Sequence, residues 1–298
     1  MSQYSPTVTD EHLQSLIQKR IGNGRVSMSR RFPFLKKPIR SARIAHKWMQ
    51  NRMQNTLAKK QQSEFFPHIL ARHQSLLLRK LGDTDMQLQR NKIENLRIAI
   101  ATINGLVIAP KETFSLWERV GFANSKKGYK EGLLLQDGRP IRGVGGGLCQ
   151  LSNLLHWLFL HTPMTITERY HHSVDAFPDS GRTLPFATGA TVYYNYMDLQ
   201  IKNNSKTPIQ FHLWLTDTKL KGRIMSPIAR TKKYSIEERK HLFVEHKGAW
   251  WRYNQIWRKT YWDGDLLNEE FLWENISPVR YIVDEQTLQN HGIKTLKI

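Results

Sequence analysis

Pro163 separates two kinds of periodicity, and that break limits the architectures open to this chain. Ahead of it, Leu151, Leu154, Leu155, Leu158 and Phe159 recur at helical spacing, which predicts a helix over Leu148–His161 that the proline stops. An earlier helix is expected over Asn91–Asn104. There Ile93, Leu96, Ile100 and Ile103 keep the spacing, Asn91 and Glu94 resemble a capping box, and Gly105 suits the stop. Behind Pro163, Met164–Tyr170, Ala190–Tyr196, Asp198–Asn203, Pro208–Leu215 and Leu220–Ile224 are rich in β-branched and aromatic residues and read as strands. Turn residues at 204–207 and 216–219 would fold the last three into an antiparallel meander. The class is therefore α+β, with helices preceding a mostly antiparallel sheet and the one thiol at a helix N-terminus.

Charge divides the chain further. The net charge is +20, and residues 1–80 hold 16 Lys/Arg against 3 Asp/Glu, with no acidic residue from His12 to Ser63. Three units are expected: a basic N-terminal segment (1–80), a core domain (81–230) and a Trp-rich C-terminal β-hairpin extension (231–298). Residues 1–40 read as irregular, because Gly22, Gly24, Pro33 and Pro38 interrupt any long helix. Ser41–Gln62 reads as a basic helix with Ala45, Met49, Met53 and Leu57 at every fourth position and Trp48 beside them. Such a stripe either packs on the protein's own core or lies on an anionic membrane surface. Lys232–Lys240 reads as a charged linker, followed by a hairpin of His241–His246 and Trp251–Tyr261 around Lys247-Gly248. Five of the nine tryptophans fall between Trp250 and Trp273, where they are expected to build a local core rather than stack on sugars or bases.

Met1–Arg25 contains no apolar stretch of the kind a signal peptide needs, and no apolar run approaches the roughly 20 residues of a membrane span. No lipidation motif is present. A single cysteine forms no intramolecular disulfide, which suits a reducing compartment. The expectation is a cytoplasmic protein with peripheral contact at the inner membrane face.

The stretch richest in chemistry is Gly143-Val144-Gly145-Gly146-Gly147-Leu148-Cys149-Gln150. Glycines remove side chains, so a substrate can approach the backbone, and the amides of a helix's first turn favour a thiolate or an oxyanion. His171-His172-Ser173 closes a predicted strand and Asp198 opens another. Cysteine on a helix, histidine after a strand and aspartate on a strand is the order of papain-like and transglutaminase-like thiol enzymes, although the 23-residue Cys–His interval is short for them. In the catalytic reading Cys149 attacks an acyl carbon, His172 takes the proton and Asp198 orients the histidine. Gly145, Gly146, Gly147, Gln150, Arg169 and Ser173 are then the candidate substrate-binding residues.

The competing reading makes Cys149 a small buried hydrophobe. A phosphate cradle is another use of such glycines, yet neither the Walker pattern nor GxGxxG occurs. Cys149, His156, His161, His171 and His172 crowd together, but His156 and His161 are poorly spaced for one helical face and no CxxC or HExxH is present. No metal and no cofactor are expected. Nucleic-acid binding rests on charge alone, without a zinc-finger, RRM or basic-zipper pattern.

Gly145–Leu155, followed by His161-Thr162-Pro163 and Thr167-Glu168-Arg169, resembles the VanW family. So do Pro110–Ser115, Gly128–Leu133, Ala190-Thr191-Val192 with Asp198-Leu199 and Asn203-Asn204, and, upstream, Arg31–Leu35. The likeness is firm over about residues 91–224. It implies an accessory role in glycopeptide resistance, connected with cell-wall precursors, and supplies no defined activity. The partner so implied is a peptidoglycan precursor or another small anionic ligand. The rival is a non-catalytic scaffold that docks through its basic segment on a membrane, a nucleic acid or a protein. Two departures stand out: Lys111 replaces a glycine common in the family, and Gly189 replaces an acidic residue. If that acidic residue completes a triad, Asp198 must serve here or the third member is missing.

Overall fold

The computed structural model describes residues 7–22, 32–78, 85–136, 139–176, 178, 184–290 and 292–298; Gly24 and Arg31, named above, lie outside them. The fold is α+β with mostly antiparallel sheets. Helix α1 (Asp10–Ile21) lies in the stretch expected to be irregular. The Thr9 hydroxyl caps it by accepting from His12 N, Asp10 and Glu11 fill its first turn, and Gly22 ends it at a φ of 74°. Because only Leu13 and Ile17 form its buried stripe, the periodicity was too brief to register. Helix α2 (Lys36–Gln54) is shifted from the expected Ser41–Gln62. It tolerates Pro38 in its first turn and stops where Asn55 turns extended, so that Leu57 bridges to Thr113 instead of continuing the stripe. Helix α3 (Met86–Ile103) begins five residues before Asn91. Asp85 is its cap, accepting from Gln87 N, while Asn91 donates to the Glu131 carbonyl.

Short strands surround these helices. One sheet runs β1 (His68–Leu76), β9 (Lys219–Ser226), β8 (Ile209–Leu215), β2 (Val107–Ile108). A second runs β3 (Thr113–Ser115), β7 (Gln200–Lys202), β6 (Thr165–Glu168), and β4 (Glu131–Gln136) pairs with β5 (Arg139–Val144). The expected meander is therefore broken. β7 joins β3 and β6, and of the three expected strands β8 and β9 alone pair with each other. Asn203 causes the switch: fully buried, it donates to the Ile108 and Thr207 carbonyls and accepts from Ser205 N, turning the chain from one sheet to the next.

Helix α4 (Leu116–Val120) follows β3, and helix α5 (Leu148–Leu160) runs through the main core. α5 packs on β1, β9, β6 and α3. Gly222 of β9 is tightly framed there by the Leu154, Leu158 and Leu213 side chains, so an added Cβ would force these leucines to shift. β1 comes from the basic segment and pairs with β9 along eight residues, so the first 80 residues contribute to the central sheet.

Lys232–Lys240, expected as a linker, is the first half of β10 (Lys232–His246). Its alternating charges belong to a sheet face. Lys259 reaches Glu237 at 2.7 Å, and Arg239 grips Glu269 with two donors at 2.7 Å each. β10 forms the expected hairpin with β11 (Ala249–Trp262), followed by β12 (Asp265–Pro278). After helix α6 (Glu285–Asn290), β13 (Lys294–Lys297) adds parallel to β10. α1 lies on this sheet, with Leu13 and Ile17 among Leu242, Val244, Trp251, Tyr253 and Ile276.

The turn Ala109–Glu112 is closed by Glu112 N donating to Ala109 O at 3.0 Å, and its third residue, Lys111, sits at a φ of 69°. This left-handed position favours glycine. Lys111→Gly is expected to stabilise the fold by about 0.5–1 kcal/mol, after allowing for the freer unfolded chain. A thermal melt in which Tm rises would meet that expectation, and a fall would contradict it.

Candidate functional site

The glycine turn is filled by protein. A Cβ on Gly146 would lie 2.2 Å from the Gly132 carbonyl carbon of β4, and one on Gly147 would meet the Lys92 side chain at 2.1 Å. Gly145 and Gly147 sit at φ of 81° and 98°, and Gly145 backs onto Ala123. Asn95, fully buried on α3, locks the turn. Its amide donates to the Lys130 and Gly146 carbonyls, both at 2.9 Å, and its oxygen accepts from Lys130 N at 2.8 Å. The glycines thus serve a backbone-on-backbone approach, where the sequence reading had placed a substrate.

Cys149 is the second residue of α5 and is half-buried. Its sulfur lies 3.9 Å from the Val192 carbonyl oxygen, at the reach of a weak thiol donor. Burial pushes the thiol up from its ordinary range, outweighing the downward pull of the Val192 contact and of the local backbone. Desolvation of the thiol works against the helix-activated thiolate expected from the sequence. Of the amides proposed for an oxyanion, Gln150 N already donates to Gly147 O at 2.9 Å.

The sequence reading missed a polar face on this same helix. Cys149, Ser152, Asn153 and His156 fall at i, i+3, i+4 and i+7, and all meet the backbone of 188–192. Ser152 Oγ donates to Ala190 O at 2.6 Å, and Asn153 Oδ1 accepts from Ala190 N at 2.7 Å. His156 Nδ1 lies 2.6 Å from Thr188 O, so it is the protonated nitrogen. Together they grip a segment that has only isolated bridges, Thr191 to Tyr170 and Tyr193 to Met197, where the sequence suggested a strand over Ala190–Tyr196. The signal was legible as a second, polar stripe at helical spacing inside an apolar helix. Complete burial pulls the His156 pKa down to about 3, so the ring is neutral.

The remaining predicted residues are dispersed. His172 Nδ1 lies 2.9 Å from Thr191 Oγ1, whereas the thiol faces the Val192 carbonyl; no hydrogen bond joins Cys149 to His172. His171 has its Nε2 buried without a partner among the described residues, and burial with nearby Arg20 and Arg169 pulls its pKa down to about 4. Asp198 does not reach either histidine. Fully buried, it accepts from Ser115 Oγ at 2.5 Å, Trp117 N at 3.1 Å, Leu199 N at 2.8 Å and Gln200 Nε2 at 3.2 Å. It joins α4 to β7, and burial raises its pKa to about 6. Gln150 donates to Ser75 Oγ and Leu76 O at the end of β1. Arg169 donates to the Gly189 and Ala187 carbonyls and stacks 4.3 Å over Trp273, tying 187–189 to β12. Ser173 is exposed in a bend. Among the described residues no group of His, Cys, Asp or Glu is arranged to hold a metal ion, and no helix is long and apolar enough to cross a membrane.

The polar face and the segment it grips lie within residues 91–225, which match a family model described as VanW like protein. The Vancomycin B-type resistance protein VanW of Enterococcus faecalis (strain ATCC 700802 / V583) is 33% identical over 221 residues, covering 74% of this chain and 80% of that protein. The chain belongs to the VanW family. The protein named Uncharacterized protein YoaR of Bacillus subtilis (strain 168) is 30% identical over 123 residues, 40% of this chain and 38% of its own length. No solved structure matches. The match to the VanW model begins in α3 and ends in β9, so α1, α2 and the β10–β13 sheet lie outside it. Gly189 is constrained here: a Cβ would come 2.7 Å from Asn153 Oδ1, the acceptor that holds Ala190.

Proposed function

We propose that this VanW-family chain acts in glycopeptide resistance as a binding and docking protein, with Cys149 structural rather than nucleophilic. The observation that carries this reading is the shared commitment of Cys149, Ser152, Asn153 and His156 to the backbone of 188–192. A nucleophile needs a base and a depressed pKa. The thiol here has a carbonyl partner and a raised one. The connection with resistance comes from the printed name of the Enterococcus relative. The cell wall supplies the ligand class, a peptidoglycan precursor or similar anionic metabolite, for which a chain of net charge +20 is electrostatically suited. The lone cysteine is in keeping with work at the cytoplasmic side.

Alkylation by iodoacetamide across pH tests this reading chemically. The reaction of folded protein is expected to set in only above the ordinary thiol value of about 8.5, and His172→Ala is expected to leave the midpoint in place. A midpoint below that value which His172→Ala moves upward would restore the thiol enzyme. In cells, Cys149→Ser retains a donor to Val192 O and is expected to support vancomycin resistance as fully as the unaltered chain. Complete loss of resistance with a folded Cys149→Ser protein would reject the binding role.

A further inference from the structure

Helix α2 turns much of its polar side to the protein, with half-buried Ile39 and Ile44 among those residues, and an apolar stripe to the outside. Its polar side faces the protein: Arg40 lies 5.0 Å over the Tyr193 ring, Arg43 donates to Tyr196 OH at 2.8 Å, Lys47 pairs with Glu168, and buried Asn51 accepts from Gln200 at 2.9 Å. Its apolar side faces outward. Ala42, Ala45, Met49 and Met53 follow one another along the exposed surface, with Met49 52% and Met53 78% accessible. Trp48 flanks the stripe at 44%, and Phe34, in the turn that leads into the helix, is 75% accessible. A surface helix ordinarily presents the opposite arrangement, apolar face to the core and polar face to water. Throughout Lys36–Gln54 there are six Lys/Arg and no Asp or Glu, and Arg52 stacks on Trp48 with its charge beside the stripe.

We infer that α2 docks the protein on an anionic lipid bilayer, with Met49, Met53, Trp48 and Phe34 entering the interface and Lys37 and Arg52, exposed on the Trp48 flank of the stripe, meeting the head groups. The chemistry selects this occupant. A second copy would set the same cations against themselves. A nucleic acid would satisfy the charge but leave the methionines and Phe34 in water. Lipid with anionic head groups answers both the stripe and its rim, as interfacial helices do. The inference rests on the docking role proposed above and names the surface that role uses.

The test is flotation of the full chain with phosphatidylglycerol-rich vesicles and with phosphatidylcholine vesicles. Binding is expected to the anionic vesicles, to fall with added salt, and to drop roughly tenfold or more in Met49→Glu/Met53→Glu. Both methionines are exposed, so the variant is expected to melt like the unaltered chain; Trp48→Gln, checked the same way, gives a second reading of the same surface. Equal binding to both vesicle types, or undiminished binding by the folded double variant, overturns the inference. So does absence of vesicle binding, including a case where the protein instead self-associates through this helix or holds duplex DNA. Such a failure removes bilayer docking alone; the non-catalytic role falls with a depressed, His172-dependent alkylation midpoint or with loss of resistance in Cys149→Ser.

Discussion

Gly146→Ala is expected to cost about 3 kcal/mol or more, a large fraction of the stability of an ordinary domain. The added methyl would stand 2.2 Å from the Gly132 carbonyl carbon and 2.6 Å from its Cα and oxygen. These are backbone atoms, so no rotamer change relieves the overlap. The turn must lift off β4, and the bonds Asn95 makes to Lys130 and Gly146 go with it. Urea denaturation measures the effect directly. If the glycines existed to admit a substrate, Gly146→Ala would keep its stability and lose only ligand binding, and that result would restore the sequence reading of the turn.

Asp198→Ala is expected to destabilise by about 3–5 kcal/mol at neutral pH, because four donors lose their acceptor in a buried site. Asp198→Asn separates packing from charge. The folded pKa, about 6, lies above the ordinary carboxylate value, so the folded chain holds this proton more tightly than the unfolded one. The contribution of the protonated carboxyl is therefore full below about pH 4 and declines as pH rises toward 6, by roughly 3 kcal/mol. In Asp198→Asn that decline is expected to vanish from the stability profile between these limits. An unchanged difference between pH 4 and pH 7 would show that the group does not titrate as its burial implies.

Much of the core was legible because its signals are local. α5 and β8–β9 carry their own periodicity and turn residues, and the hairpin around Lys247-Gly248 is marked by the turn itself. What escaped depends on distant partners. α1 is defined by two buried residues whose contacts lie beyond residue 240, and β7 left its expected neighbours because Asn203 answers to Ile108. The surroundings of the candidate site depend on distant partners in the same way. A glycine turn before a cysteine looks alike whether a ligand or Gly132 fills the space, and only the Gly132 and Lys92 contacts decide it. Asp198, aligned with two histidines in sequence order, is claimed by Ser115 and Trp117, more than eighty residues earlier.

The sheet that receives α1 also has a consequence for how the chain folds during synthesis. Val8, Leu13, Leu16 and Ile17 cluster with Leu242, Val244, Leu296 and Ile298, and Ile298 N closes the group by donating to Glu245 O. On the ribosome the helix therefore emerges roughly 230 residues before its seat exists, far longer than a nascent helix takes to form. Until β10 to β12 appear, Leu13 and Ile17 have no native cover, and β13 can join only afterwards. Closure of this small core is thus a late, non-local step, dependent on two stretches made far apart in time. Release of a chain truncated before β13 would leave the edge of β10 open beside a small core that lacks Leu296 and Ile298, a species suited to capture by chaperones or to aggregation.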